Sequence, residues 1–380
     1  MALGLAGFGT LPLIFGDLKP DYVQLIEALG GNVVRLGRGQ GTLNVVDPGA
    51  AAAAAGRLTG KARRKLLADA HGRRLTMVAA LISLNRRGPV SDTEEAILSA
   101  ALSVLDERHL PGLATLHDLI ACLEEGPEPV RHVTLARGHD DRYRAAVDPL
   151  EASLHALCAG ALGESFAART TTPLSLDGPL CIDISGISES DEKLQASVLL
   201  ACWAEGFGAL AAAQALADAG LAPARNYFVV LDELWRVLRA GTGMVDRVDA
   251  ITRLNRTQGV GTAMVTHSMD DLLALPSEAD RMKARGFAER AGFVICGGLA
   301  AAQLASVEEI VALSGPERSL LTGWSSPPAW DREAEREAEP PGRGKFLVKV
   351  GGRPGVPVEV ILTAEERRVN DTNQRWAQVA

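Results

Sequence analysis

Residues 226–239, NYFVVLDELWRVLR, constrain this chain more than any other stretch. Tyr227, Phe228, Val229, Val230 and Leu231 form an unbroken, partly β-branched apolar run, the pattern of a strand buried on both faces of a parallel sheet. Asp232 and Glu233 follow where that strand emerges, the edge at which open α/β sheets hold their ligands. Adjacent carboxylates there suit nucleotide hydrolysis: the Asp holds Mg²⁺, usually through its water, and the Glu orients and deprotonates the attacking water. The pair also fits a solvated strand end, so the rest of the chain has to decide.

Taken in order, the chain builds an α/β frame. A small-residue, helix-compatible stretch at 1–10 precedes a strand at 11–15, a charged turn at 16–22 and a helix at 22–29 with Leu25, Ile26 and Leu29 on one face. A second strand, 32–36, leads into a loop with Gly37, Gly39 and Gly41. Such glycines let backbone amides approach a phosphate, and they also serve plain turns. Leu43, Asn44 and Asp47 lie in the segment that closes this unit. From 50 to 169 the pattern is helical throughout: Ser91 with Glu94 makes a capping box, and Leu116, Leu119, Ile120 and Leu123 keep i, i+3, i+4, i+7 spacing. Strands at 180–184 and 262–266, the latter ending on His267 and Ser268, flank a long helix at 190–219, the acidic-ended strand and a helix at 245–257 carrying Arg247, Arg253 and Arg256. A strand at 292–295 and a helix at 301–313 are expected to finish the sheet. Strands separated by helices of this length mean right-handed crossovers and a doubly wound, mostly parallel α/β sheet with helices on both faces. A Pro- and Glu-rich linker, 327–344, leads to two strands at 345–350 and 356–362 and a helix from Thr363. The expected division is 1–49 core, 50–175 all-helical insert, 176–326 remaining core, 327–344 linker and 345–380 tail, a small β-hairpin and helix.

Composition narrows the chemistry. A net charge of −8 argues against nonspecific wrapping of DNA, which needs clustered Lys and Arg, although a local basic channel stays open. The basic cluster Lys61, Arg63, Arg64 and Lys65 reads as a solvated helix face. Cys122, Cys158, Cys181, Cys202 and Cys296 are odd in number, contain no C-x-x-C pair and sit mostly in apolar runs, so they read as reduced core residues. His71, His109, His117, His132, His139 and His155 show no metal-ligand spacing and read as surface or satisfied histidines. No apolar stretch is expected to span a bilayer once Gly, Pro and charges are counted.

A phosphate loop, G-x-x-x-x-G-K-[ST] between a strand and a helix, is the decisive test of the nucleotide reading, because its amides wrap the phosphates and its Lys neutralises them. Gly56 and Gly60-Lys61-Ala62 have the wrong glycine spacing, no hydroxyl residue and a poly-Ala helix in front. Gly342 and Gly344-Lys345-Phe346 lie in the linker and also lack the hydroxyl, while Gly4, Gly7 and Gly9 have no Lys. None of the three qualifies.

Four segments together, IFGDLKPDYVQLIEALGGNVVRLGRGQGTLNVVDPG, FVVLDELWRVL, ITRLNRTQGVGTAMVTHSMDDL and LTAEERRVNDTNQRW, resemble the conjugative-transfer ATPases of type IV secretion systems, the TraC/TraG P-loop branch of the FtsK/HerA superfamily. Order and spacing match from residue 11 to 376. The resemblance implies a RecA-like P-loop NTPase core, with ATP and Mg²⁺ as cofactors. It makes Asp232 the Mg²⁺-associated Walker B residue and Glu233 the water-activating residue, and it puts Asp17 and Lys19, in the Asp-x-Lys-x-x-Tyr segment, beside the nucleotide. His267 stands where the family carries a γ-phosphate-sensing Gln, and an imidazole there also titrates near neutrality. Arg253 and Arg256 become candidates to reach a neighbouring subunit's nucleotide, or else an ion-paired helix face. The implied partners are a hexamer-like ring of copies or complete ATPase subunits, and the inner-membrane secretion machinery, with a cytoplasmic location, peripheral at the membrane. In the family a strand, phosphate loop and helix precede the segment near Leu11, so this chain is expected to start just after its own phosphate loop. Two other readings follow: a non-catalytic assembly subunit packing on complete ATPases, or a HerA/FtsK-like DNA translocase, which the acidic balance disfavours.

Overall fold

The computed structural model describes residues 1–37, 39–109, 113–241, 244–252, 259–275, 277–331 and 336–369. It divides into two compact units, Met1–Val265 and Thr266–Asp371. The first unit runs α1 (Ala2–Ala6), β1 (Thr10–Asp17), α2 (Val23–Ala28), β2 (Asn32–Arg35), α3 (Ala50–Arg57), α4 (Gly60–Arg86), α5 (Asp92–Arg108), α6 (Leu116–Glu125), α7 (Glu128–Val133), α8 (Asp140–Ala159) and α9 (Ala161–Phe166). It continues through β3 (Leu180–Asp183), α10 (Glu192–Asp218), β4 (Asn226–Leu231), α11 (Leu234–Arg239), α12 (Met244–Thr252) and β5 (Val260–Met264).

Five strands pair in the order β2-β3-β1-β4-β5, every pair parallel. Leu13 of β1 faces Leu180 on one side and Val229 on the other, which seats β1 at the centre. Successive strand residues point to opposite faces, and each face of β1 is covered. Val23 and Ile26 of α2 pack on Ile14, Cys181 and Val230. Phe207 of α10 meets Phe15 edge-on at 5.5 Å between ring centroids. The doubly wound sheet expected from the sequence is therefore present. The approach of α10 to β1 depends on Gly206, where a Cβ would lie 2.5 Å from the Phe15 ring.

Helix α10 corrects one expectation. Over its 27 residues it is long and apolar enough, by length and composition, to cross a bilayer. Its glycines do not interrupt the run, and most of it is buried against β1, α3 and α4 as a core helix. The helical stretch α3–α9 leaves and rejoins the sheet at one clasp. Thr42 N–H donates to Thr171 Oγ1 at 2.9 Å, and Thr171 N–H returns a bond to the Thr42 carbonyl at 3.1 Å. Asn44, 2% exposed, donates its side-chain amide to the Ala114 carbonyl and accepts from Val46 N–H. The Ser91–Glu94 capping box opens α5 as read, and Glu94 is further held by Arg86 at 2.6 Å.

The second unit runs α13 (Met269–Leu273), α14 (Glu278–Glu289), β6 (Val294–Cys296), α15 (Ala301–Glu308), α16 (Gly315–Trp324), β7 (Trp330–Asp331), β8 (Arg336–Glu337), β9 (Lys345–Lys349), β10 (Val356–Glu359) and α17 (Ala364–Val369). β6 does not finish the parallel sheet. It pairs antiparallel with β9, which pairs antiparallel with β10. A three-residue apolar strand carries no mark of pairing direction, so its composition could not settle which sheet it joins. Inside the stretch read as linker, β7 and β8 form a short antiparallel ladder through Trp330 and Glu337. Cys296, Leu304, Val307, Leu321 and Leu347 make the core of this unit.

Candidate functional site at the carboxyl edge of the parallel sheet

Because all five strands run the same way, their carboxyl ends share one edge, and three of them end in acid. Asp17 pairs in register with Asp183, and Asp232 follows the last residue of β4. Asp17 is 2% exposed, and its carboxylate accepts three backbone N–H bonds from the turn that follows: Lys19 at 3.3 Å, Asp21 at 3.1 Å and Tyr22 at 2.8 Å. Burial pushes the Asp17 carboxyl above its ordinary pKa, against the pull of those three donors. The turn thus wraps its own carboxylate, leaving the Lys19 side chain exposed.

Tyr22 carries this turn to the Asp232–Glu233 pair. Its hydroxyl donates to Asp232 Oδ2 at 3.2 Å, and burial, then the neighbouring Asp232 charge, raises the pKa of the phenol. The proton on Tyr22 is consequently fixed as a donor across ordinary pH. Asp232 Oδ1 accepts the Glu233 N–H at 2.8 Å. Glu233 itself is buried, caps α11 and sits in the left-handed region at φ 52, ψ 36, a conformation costing a non-glycine residue about 1 kcal/mol. Its Oε2 accepts the Trp235 indole N–H at 2.5 Å and lies 3.7 Å from Arg236 Nε. At the opposite end of the edge, Asp183 pairs with Arg35 at 3.3 Å and accepts from the Ser185 hydroxyl at 2.7 Å.

Of the residues singled out from the sequence, the first unit brings together Asp17, Asp232 and Glu233. His267 belongs to the second unit, between Thr266 and Ser268, whose hydroxyl accepts from Asp271 N–H to cap α13. Arg253 and Arg256 lie outside the described residues. Sequence reasoning missed Asp183 and Trp235, and it took in Tyr22 only as the end of the charged turn at 16–22. Asp183 had a readable signal, an Asp ending an apolar strand just as Asp232 does. The Tyr22–Asp232 bond joins residues 210 apart and had none.

Asp232 is half-buried and offers hard carboxylate oxygens already oriented by two donors, a donor set that suits Mg²⁺ held through its water. The fit for ATP phosphates is poorer, because the sequence contains no phosphate loop.

The architecture is that of a P-loop-NTPase-like α/β core, a parallel sheet between helices with acids at its carboxyl edge. Among solved structures the chain is similar to VirB4 of Thermoanaerobacter pseudethanolicus, with a TM-score of 0.65 and 17% identity over 96% of this chain and 85% of that one. At that identity the likeness is one of fold. No protein-family model matches the sequence, and no curated protein matches it.

Proposed function

We propose that this chain is an ATPase-type subunit of a conjugative-transfer or type IV secretion machine, working in a ring of copies or beside complete ATPase subunits at the cytoplasmic face of the inner membrane. The observation that carries this reading is the Asp232–Glu233 pair at the carboxyl end of β4, tied to the Asp17 turn through Tyr22. The VirB4-like fold supports it. Asp232 would hold Mg²⁺, which when bound neutralises charge on phosphate oxygens. Glu233 receives a proton from water on its carboxylate. Tyr22 and the Glu233 amide fix the rotamer of Asp232 before any ligand arrives. The phosphates need a strand and loop from another segment, and β5, at the edge of the described sheet with Gly261, Thr262 and Met264 exposed, leaves a ladder for such a strand to join.

Two measurements test the reading. Mg-ATP titrated into the 380-residue chain should show no affinity tighter than about millimolar, the regime of a few polar contacts. In an assembly that turns over ATP, Glu233→Gln should leave ATP binding intact while turnover falls roughly 10²–10⁴-fold. Hydrolysis at the parent rate would remove Glu233 from the mechanism. A second reading is a non-catalytic subunit packed on complete ATPases, and parent-rate turnover by an assembly carrying Glu233→Gln would select it.

A further inference from the structure

A cavity of about 30 Å³ lies in the first unit between α4, α10 and the segment that leads from β2 into α3. Arg73 and Arg74 reach it from α4, Glu205 and Gly208 line it from α10, and Asp47 lines it from the connecting segment. Arg73 is 9% exposed, and among the described residues neither of its terminal nitrogens, Nη1 or Nη2, has a hydrogen-bond partner. Arg74 Nε is likewise buried and unpartnered, although the other two nitrogens of that side chain hold Asp106 at 2.7 Å and 2.6 Å. Buried donors from two guanidinium groups therefore border one small space and donate to nothing. Two glycines make room for the charged groups: a Cβ at Gly208 would lie 3.3 Å from Arg73 Nε, and one at Gly49 would lie 2.6 Å from Glu205 Oε1.

A buried donor without an acceptor keeps the full cost of leaving water, and the cost is greater on a charged group. Burial lowers the Arg73 pKa, and the carboxylates of Asp69 and Glu205 oppose that only through space. The cavity exceeds the roughly 10–15 Å³ that one water needs, so it holds about two waters or one small ion. Converging guanidinium donors suit a ligand that only accepts, whereas a water has two protons of its own to place. Glu205 faces the same space, with Asp47 and Arg73 as its charged neighbours and the Cys202 thiol close by on its own helix. Burial, then Asp47, pushes the Glu205 carboxyl up to about 7, so near neutrality it takes a proton and donates where it would otherwise repel. We propose that this cavity binds one small monovalent anion of chloride size, held by Arg73 Nη1 and Nη2 and by Arg74 Nε, with uptake of one proton from solvent onto the Glu205 carboxylate. Anion and proton enter together, so the net charge of the buried cluster does not change. Since α4 belongs to the helical stretch and α10 covers the sheet, the anion fastens one to the other. Binding does not depend on the chain being an ATPase.

The test is chlorine-35 NMR line broadening by the full chain, titrated with sodium chloride against sodium gluconate at constant ionic strength, at pH 6 and pH 8. A carboxyl titrating at about 7 is about nine-tenths protonated at pH 6 and about one-tenth at pH 8, so chloride should bind about tenfold more weakly at pH 8. Glu205→Gln, a neutral stand-in for the protonated acid, should bind chloride as tightly at both pH values as the parent does at pH 6. Arg73→Met combined with Glu205→Gln removes cation and acid together at similar volume, so that neither strands the other, and its chloride broadening should vanish while the far-ultraviolet spectrum matches the parent. The proposal is overturned by absence of chloride broadening in the parent, which would leave the cavity to bridging waters. It is equally overturned by undiminished broadening in the double variant, which would place the ions on the surface, or by a pH dependence that survives Glu205→Gln, which would assign the proton to another group.

Discussion

The two main sheets solve opposite problems. The parallel sheet buries β1 and β3 on both faces and gathers its acids at one edge, where Asp17, Asp183 and Asp232 are held by turn amides, Arg35 and Tyr22. The antiparallel sheet of the second unit is half-clad: every residue of β10 is exposed, and its one large buried apolar residue in β9 is Leu347. It relies on a buried ion pair instead, Lys349 on Glu317 at 3.0 Å with side-chain exposures of 3% and 9%. Glu317 also accepts from Ser314 N–H at 2.6 Å and Gly355 N–H at 2.6 Å, and these backbone donors, ahead of Lys349, hold its carboxyl down to about 2. A carboxyl in the first unit has the opposite fate. Glu205 on α10 faces a cavity of about 30 Å³ with Arg73 and Asp47, and burial, reinforced by Asp47, pushes it up to about 7. A large apolar core tolerates a poorly paired acid, whereas a thin sheet needs a fully paired one.

The largest expected effect breaks the thin side. Glu317→Ala strands Lys349 as an unpaired buried charge and should cost about 3–5 kcal/mol in urea unfolding of the second unit. Because the Glu317 pKa is depressed, its contribution is present above the ordinary carboxylate range and lost as pH falls toward 2. Next, Glu205→Gln should stabilise the first unit by up to ~3 kcal/mol at pH 8 and by nothing at pH 4. The sign is reversed there: a raised pKa means that native stability falls as pH climbs from about 4.5 through about 7. Stability of the two single variants followed from pH 2 to 8 would show opposite slopes, the Glu317 effect below about 4.5 and the Glu205 effect above it, and parallel curves would end the comparison. Gly206→Ala forces a methyl into the Phe15 ring and should cost about 2 kcal/mol by thermal melting. Smallest is Tyr22→Phe, about 1 kcal/mol, through loss of the bond to Asp232.

The same contrast explains what the sequence disclosed. Strands of the parallel sheet are legible because double burial writes continuous apolar runs, as in Val229, Val230 and Leu231, and the acid that follows marks the edge. β6, β7 and β8 were misplaced or missed because strands of two or three residues carry no such signature. The boundary of β5 lay two residues earlier than expected, since Val260 and Gly261 extend the ladder through backbone bonds alone. Asp17, Asp232 and Glu233 were singled out from their position after strands or by resemblance, and the fold sets them along one edge. Tyr22, Asp183 and Trp235 matter through contacts made across the fold, which no local pattern encodes. Glu205 was silent for a similar reason: a lone acid in an apolar helix looks like a surface residue until its neighbours are known.

The clasp at Thr42 and Thr171 has an architectural consequence. Two chain ends joined by reciprocal hydrogen bonds are the geometry of a module that can be inserted or removed without stretching its host. Cutting out the helices between them would leave the strands in register. It would also strip α10 of the α3 and α4 surface that covers it, exposing a 27-residue apolar rod long enough to cross a bilayer. The helical module is therefore detachable in its connections yet obligatory as a sheath, and a shortened relative would have to replace that sheath or surrender the helix to a membrane or to another subunit.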